Sequence, residues 1–390
     1  MNRKRKIAVI TSSRADYNLL YWPIKTIIES EKLELKLIVT GSHLCEKKGL
    51  TINEIKKDKL PISVEIPILN EESSDVSLVE VFGKASSLIA GELRKTMPDI
   101  VLVLGDRYEI LAAVIAASFL NIPIAHLCGG DVTEGALDDA IRHSISKFSH
   151  IHFPSTHEAA RRLIQLGECE KNIFMVGSTG LDYIKKCSVI SKQSLLSELS
   201  ILSPELPIYL ITFHPVTLEK DRGLKQLQEL LKALDRLLSK SSCNLIFTGV
   251  NPDPGASFIE KEIMNFCENR SNCYYFLSLG PQKYINMIRI CEAMIGNSSS
   301  GFYEAPFLGK PTINIGNRQK GRVNTNSIFN IEADQDIIFN TIHSMQDRVL
   351  KDIISPYGDG ESSERIISIL ENIELTQNIQ IKKFQDLPIA

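Results

Sequence analysis

The chain of 390 residues lacks several features that would settle its class at once. It has one tryptophan, and its eight cysteines form neither a Cys-x-x-Cys pair nor a zinc-like spacing. Thiols scattered in this way point to small buried hydrophobes in a reducing compartment rather than to a disulfide framework. No apolar run reaches the roughly 20 residues needed by a membrane-spanning helix. The basic start, residues 1–6, leads into a short apolar segment broken by Ser12, Ser13 and Arg14, which reads as a first strand and not as a signal peptide. Charge of one sign is also missing. The balance of 44 basic against 47 acidic residues, formally -3, leaves no electrostatic footprint for nucleic acid. A soluble, cytoplasmic protein acting on a small molecule is expected, with neither nucleic acid nor membrane as partner.

What is present is β/α alternation. Short runs rich in Val, Ile and Leu at 6–10, 35–39, 100–104, 122–127 and 173–176 predict buried parallel strands, with helical patterns such as 79–94 and 108–120 between them. Residues 184–203 are polar and break the rhythm. A second series of strands then follows at 208–213, 245–248, 274–277, 293–295 and 312–315. The length also exceeds what a single core usually supports. The fold class expected is therefore α/β with two Rossmann-like, doubly wound domains, 1–185 and 186–361. Residues 362–390 would form a C-terminal helix that packs on the second half or crosses back to the first. A cleft between two such halves is the default ligand site.

The chemistry is densest at 126–147. There an apolar run ends at Gly129-Gly130, where the backbone can turn sharply, and Asp131 and Glu134 follow. In the helical pattern beyond, Asp138 and Arg142 stand four apart and share a face, as do Asp139 and His143. The motif Gly105-Asp106-Arg107-Tyr108-Glu109 follows the neighbouring strand, which would bring Asp106, Asp131 and Asp138 towards one crevice. A lone Asp at such a place usually caps a helix. Carboxylates crowded in a cleft instead raise one another's pKa, so that an acid and a base can coexist near neutral pH.

Two further constellations fall in expected loops. Thr11-Ser12-Ser13-Arg14-Ala15-Asp16-Tyr17 offers hydroxyls, backbone donors and a guanidinium at a helix start, which suits an anionic ligand, and equally suits an N-cap with an Arg–Asp surface pair. It carries no Gly-x-Gly-x-x-Gly dinucleotide fingerprint. The other joins Gly296-Asn297-Ser298-Ser299-Ser300-Gly301, Glu304 and a basic stretch with Arg318, Lys320 and Arg322. Small donors at a helix start fit a diphosphate, and a carboxylate one turn on fits ribose hydroxyls. Five of the eight histidines lie between His126 and His157, but their spacing matches no helix-borne zinc motif, so no metal is expected.

Taken in order along nearly the whole chain, these motifs, with Thr40-Gly41-Ser42-His43, Asp138 to His143 and Phe213-His214-Pro215, resemble the hydrolysing UDP-N-acetylglucosamine 2-epimerases of bacterial sialic-acid and legionaminic-acid synthesis. The resemblance implies a glycosyltransferase-B-like fold with the nucleotide held mainly by the second domain. It implies a reaction without cofactor. A base takes the C2 proton, UDP leaves C1 by anti elimination, and water adds to the resulting 2-acetamidoglucal.

By that resemblance Asp106 and Asp138 are the acid/base candidates and Arg142 either a support behind them or a sugar contact, with His214 facing the diphosphate or C1. Ser298, Ser299 and Glu304 carry over to phosphate and ribose, and Arg14 and Arg318 to charge partners. Asp16 is included among the substrate-binding residues, and His43 and His126 are further candidate sugar contacts. One position departs from the non-hydrolysing relatives, which carry a catalytic glutamate where this chain has Cys128. Asp131 or Glu134 is expected to take over that duty. The substrate implied is UDP-N-acetylglucosamine. UDP-N,N'-diacetylbacillosamine is the close alternative, and a glycosyltransferase or a binding module on the same fold the more distant ones. A homo-oligomer, dimer or tetramer, is expected.

Overall fold

The computed structural model describes residues 3–69, 78–133, 137–216, 219–250, 255–268, 270–345, 353–375 and 377–386. It contains two compact units, Met1–Lys185 with Tyr357–Ala390, and Lys186–Pro356. Glu134 lies outside the described residues.

The first unit runs β1 (Arg5–Thr11), α1 (Arg14–Glu29), β2 (Leu33–Thr40), α2 (Ile52–Lys57), β3 (Ile62–Ile66), α3 (Leu78–Thr96), β4 (Ile100–Leu104), α4 (Tyr108–Phe119), β5 (Ile124–Leu127), α5 (Leu137–Phe148), β6 (Ile151–Phe153), α6 (His157–Gln165) and α7 (Gly180–Lys186). Its strands are all parallel, in the order β3-β2-β1-β4-β5-β6. A central parallel strand is covered on both faces, so it must be apolar at every position. In β1, Ile7 and Val9 pack with Leu20, Ile24 and Ile27 of α1, while Ala8 and Ile10 pack with Val81 and Ile89 of α3. Each such side chain, when fully buried, contributes about 1.5–3 kcal/mol relative to exposure. The winding reverses between β1 and β4, and ligands of open α/β sheets bind at the carboxyl ends of strands beside such a reversal.

The second unit continues with α8 (Lys192–Glu198), β7 (Ile208–Thr212), α9 (Leu224–Lys240), β8 (Asn244–Thr248), α10 (Ala256–Glu268), β9 (Cys273–Phe276), α11 (Gly280–Ile290), β10 (Ala293–Gly296), α12 (Glu304–Phe307), β11 (Thr312–Ile315), β12 (Ile328–Ile331) and α13 (Gln335–Met345). Its sheet, β12-β11-β10-β7-β8-β9, repeats the winding of the first when counted from β7, so its reversal lies between β7 and β10. Among the described residues no helix is long and apolar enough to cross a membrane.

Three strands go beyond the apolar runs. β3 reads Ile-Ser-Val-Glu-Ile with alternating burial, β6 has three residues and β12 contains an asparagine; β3, β6 and β12 are edge strands, which need no continuous apolar run. Residues 173–176, expected as a strand, make only a single bridge, His152 to Ile173.

The chain then returns to the first unit. Residues 357–361, grouped with the second half on sequence, pack with the first. α14 (Ser362–Asn372) buries Ile366, Ile367 and Leu370 in the cluster that holds α1. Its start is capped from α7: the fully buried Asp182 carboxylate accepts the backbone N–H of Ser362 at 3.0 Å and of Ser363 at 2.7 Å. Two otherwise orphaned helix donors are thereby satisfied. Past the short α15 (Gln377–Gln380), Lys382 reaches Glu168 at 2.6 Å and the carbonyl of Lys147 at 2.6 Å, near the end of α5.

Glu168 is buried and also accepts from Lys147 at 2.9 Å and His152 at 3.0 Å. Burial opposes its charged form, but the bonds from His152, Lys382 and Lys147 prevail and hold the carboxyl at about 2, below its ordinary 4.5. A depressed carboxyl stabilises the fold fully above its unfolded pKa, and the contribution is lost as pH falls through the folded one. The urea midpoint, followed by circular dichroism, is therefore expected to fall between pH about 4.5 and 2 more steeply in the wild type than in Glu168→Gln. The variant is expected to be less stable at pH 7, and equal midpoints there reject the role.

Candidate functional site

In the first unit the site grows from the turn after β5. Cys128 has a left-handed backbone, φ 61°, and Gly130 follows at φ 83°. A Cβ on Gly130 would lie 2.2 Å from the carbonyl oxygen of Ala159, so only glycine lets the turn lie this close to α6. The turn presents Asp131 to Arg142, from α5. Arg142 is only 7 % exposed. It donates to Asp106 Oδ2, to the carbonyl of Asp131 at 3.0 Å and to Thr133 Oγ1 at 3.1 Å. One guanidinium thus ties the loops after β4 and β5 to α5. The Asp131 carboxylate lies 3.3 Å from the Ser155 hydroxyl, a long contact. Asp138 sits exposed in the first turn of α5, one turn before Arg142, and makes no hydrogen bond or ion pair among the described residues. The structure therefore gathers Asp106, Asp131 and Arg142 and leaves Asp138 on the rim.

Protonation states narrow the chemistry here. Burial, with the charges of Asp131 and Asp106 adding and Arg142 opposing, pushes the Cys128 thiol up to about 12, so it is no base at neutral pH. His126 is fully buried between the Gly105 carbonyl, 2.8 Å, and the Ser146 hydroxyl, 3.1 Å, and burial lowers its pKa to about 3. His43 is likewise buried, its nitrogens on the hydroxyls of Thr11 at 3.0 Å and Thr51 at 2.8 Å. Both imidazoles, expected as sugar contacts, have their nitrogens spent inside the fold. Among the described residues no group of three or more His, Cys, Asp or Glu is placed to hold a metal.

The end of β1 takes the capping form of the two expected. Ser13 caps α1, and the Asp16 carboxylate accepts from the backbone N–H of Ser12 at 2.8 Å, Ser13 at 2.7 Å and Tyr17 at 3.0 Å. The donors that were to seat an anion are taken by the chain's own buried carboxylate, which leaves Asp16 a capping role. Arg14 is exposed, 3.3 Å from Glu54. Arg107 and Glu109, given no role on sequence, form an ion pair at 2.8 Å with Glu109 fully buried.

In the second unit Asn297, fully buried, bridges the strand ends at the reversal. It accepts the His214 N–H at 2.6 Å and donates to the His214 carbonyl at 2.8 Å. Its own carbonyl accepts from Gln319 at 2.9 Å and Arg318 at 3.2 Å. Segments after β7, β10 and β11 are thus joined through one residue, by its side-chain amide and its main-chain carbonyl. Ser298 caps the turn Ser299–Gly301, accepting from Ser300 at 3.3 Å. Tyr284 of α11, unrecognised on sequence, lies beside Ser300, Thr212 and Ser298, and burial with the Glu304 charge pushes its hydroxyl up to about 12. Glu304 Oε2 is buried with no partner among the described residues, and burial raises the pKa of its carboxyl. An acceptor left in this state is costly unless a ligand supplies a donor. The arrangement offers hydroxyls, Arg318 and an unsatisfied carboxylate within one unit.

Burial first, and the neighbouring Arg318 second, lower the His214 pKa to about 4. Its imidazole is neutral at pH 7, where it can donate or accept a proton but brings no charge. Proton NMR titration, with the signal assigned through His214→Gln, is expected to give a midpoint near 4 that rises in Arg318→Met. A midpoint near 6.5 in the wild type contradicts the burial.

Known proteins add to this geometry. A family model described as UDP-N-acetylglucosamine 2-epimerase matches residues 25–371. The chain is 42% identical over 346 residues, 88% of either chain, to a GDP/UDP-N,N'-diacetylbacillosamine 2-epimerase (hydrolyzing) of Campylobacter jejuni. It is 34% identical over 388 residues, 98% of either chain, to the polysialic acid biosynthesis protein P7 of Escherichia coli. In fold it resembles, at a TM-score of 0.75 and 18% identity, the crystal structure of UDP-GlcNAc 2-epimerase from Neisseria meningitidis bound to UDP-GlcNAc, covering 94% of this chain and 99% of that one. The two Rossmann-like units are of the glycosyltransferase-B-like kind.

Proposed function

The chain belongs to the hydrolysing UDP-N-acetylglucosamine 2-epimerase family, and on that premise we propose that it converts a UDP-linked 2-acetamido sugar and water into UDP and the free 2-epimer. The observation that carries this reading is the cluster of Asp106, Asp131 and the buried Arg142 at the carboxyl edge of the first sheet. A carboxylate takes the C2 proton while the C1–O bond breaks, its electron pair leaving with the diphosphate, to give UDP and the 2-acetamidoglucal. Water then bonds to C1 as hydroxyl, giving its other proton to a carboxylate, while a carboxylic acid delivers a proton to the opposite face of C2. Two carboxyl groups with separate duties suit this sequence.

Asp106 and Asp131 are the groups proposed for it. Asp138, exposed one turn before Arg142, is a third candidate by the family resemblance, and Glu134 keeps its sequence-based candidacy. Cys128, protonated at neutral pH, is left out of the base role. In the second unit Ser298, Ser299 and Arg318 are proposed for the diphosphate, with the neutral His214 as a proton donor or acceptor beside it. Glu304, with its unsatisfied oxygen, is proposed for the ribose hydroxyls. Arg14, exposed, is a further candidate charge partner.

The first substrate proposed is UDP-N-acetylglucosamine, yielding N-acetylmannosamine for a sialic-type acid. A second reading, UDP-N,N'-diacetylbacillosamine, is favoured by the 42% identity to the Campylobacter jejuni relative of that name. NMR in D2O with each substrate, and no acceptor present, is the test. UDP release with a manno-configured free sugar carrying deuterium at C2 is expected, and the faster substrate names the pathway. Absence of UDP release from both rejects the reading. Asp106→Asn is expected to lower kcat about 10²- to 10⁴-fold with UDP affinity retained, as for loss of a proton-transferring group. An Asp106→Asn enzyme with wild-type kcat rejects that role.

A further inference from the structure

The segment after α15 takes no part in the mechanism above, yet it closes on the helix that carries Arg142. Its Ile381 and Phe384 stay 60 % and 63 % exposed, so it gains little from apolar burial. Its polar contacts meet at one place. Lys382 Nζ faces Glu168 Oε2 at 2.6 Å and the carbonyls of Lys147 at 2.6 Å, Ser146 at 3.4 Å and Ser149. Further on, the Gln385 N–H donates to the Gly167 carbonyl at 3.0 Å, and the Phe384 ring lies against Gly167, where a Cβ would stand 2.6 Å from it. Lys147 Nζ covers the same ring, 4.7 Å from its centroid. Ordering an end segment costs chain entropy, and here one ammonium, one backbone N–H and one ring offset that cost.

That place is the carboxyl end of α5. The last carbonyls of a helix have no partner within it and carry the negative end of its dipole, so a cation bound there fixes the end. Ser146 joins this clamp to the acid cluster. Its carbonyl is one of the Lys382 acceptors, while its buried hydroxyl meets His126 Nδ1 at 3.1 Å. His126 Nε2 in turn lies 2.8 Å from the carbonyl of Gly105, the residue before Asp106. One turn earlier on the same helix, Arg142 holds Asp106 itself and the carbonyl of Asp131. α5 thus grips the loop after β4 at two points. A Cβ on Gly129 would stand 2.9 Å from both His126 Nδ1 and Ser146 Oγ, so the turn after β5 packs on the same bond and leaves the helix little room to shift.

We propose that Lys382 is a positioning residue for the epimerase site: by holding the end of α5 it keeps Arg142 and Ser146 in register with the loops that carry Asp106 and Asp131. This rests on the epimerase reading, which it deepens. Phe384, seated on Gly167, keeps Lys382 on its acceptors.

Turnover of the faster of the two UDP sugars and calorimetric binding of UDP test it in the full-length chain, at a temperature where circular dichroism shows each variant folded. Lys382→Met is expected to lower kcat on the order of tenfold, a part of the roughly 10²-fold that a 1 Å misplacement costs, with UDP affinity within about twofold of the wild type. In an Arg142→Lys background the same substitution is expected to cost less than it does alone, because the two residues act through one set of contacts. Phe384→Ala is expected to lower kcat in the same direction, and it decides the matter if Lys382→Met does not fold. Wild-type kcat in the folded variant, a loss that multiplies in full with that of Arg142→Lys, or UDP affinity falling in step with kcat makes the clamp a stabilising contact only and overturns the proposal. A wild-type enzyme that releases UDP from neither sugar would instead reject the epimerase reading, and this assignment with it.

Discussion

The guanidinium of Arg142 is the contact on which the first unit's acid cluster depends. The loops after β4 and β5 leave their sheet side by side, and their described residues form no regular structure to fix them before α4 and α5 begin. Arg142 spans them by taking a side-chain oxygen of Asp106, the carbonyl of Asp131 and the hydroxyl of Thr133. A lysine, a point charge on a flexible stem, cannot serve three acceptors in those directions. Arg142 is nearly closed to water while Asp106 stays 27 % exposed, so removing the carboxylate leaves a largely buried guanidinium short of one partner. The arrangement is therefore a positioning device more than a source of net stability.

The second unit meets the same geometric demand with a neutral group. Its reversal lies between β7 and β10, and there Asn297 returns two hydrogen bonds to one residue, His214, while its carbonyl collects Arg318 and Gln319. An amide both donates and accepts, so it can pair with a peptide unit without introducing charge. The identical winding thus carries a charged knot in one unit and a neutral one in the other. On the proposed reading, proton transfer at C2 belongs to the first, while the second recognises the nucleotide and holds the neutral His214 beside the diphosphate.

Much of this was legible in the chain. The apolar runs marked the interior strands because a two-faced burial demands them, and the acids of 126–147 stood where a strand hands over to a helix. Edge strands β3 and β12 escaped because one side of an edge need not be apolar. The histidines were harder. His43 and His126 look like ligands in a polar segment, yet each spends both nitrogens on neighbouring strands and turns, pairings brought about by the fold and not by spacing. Asp16 was misplaced for a related reason. The Ser-x-x-Asp spacing from Ser13 to Asp16 is a capping-box pattern, and the seat it builds for an anion is filled by the chain's own carboxylate. Tyr284 lies far in sequence from Thr212, and no periodicity pairs it with Thr212 or Ser298.

Cys128 brings these threads together. Its left-handed backbone is costly for a residue with a side chain, of order 1–3 kcal/mol, and such strain persists only where the surroundings over-determine it. Here they do: β5 ends one residue earlier, and Gly130 must pass within contact of Ala159. The backbone at 128 is therefore fixed, and the charges of Asp131, Arg142 and Asp106 act on its side chain. A carboxylate at that point would add a third negative charge beside one guanidinium. A thiol kept neutral by burial avoids that repulsion, and it leaves proton transfer to the two acids that Arg142 holds.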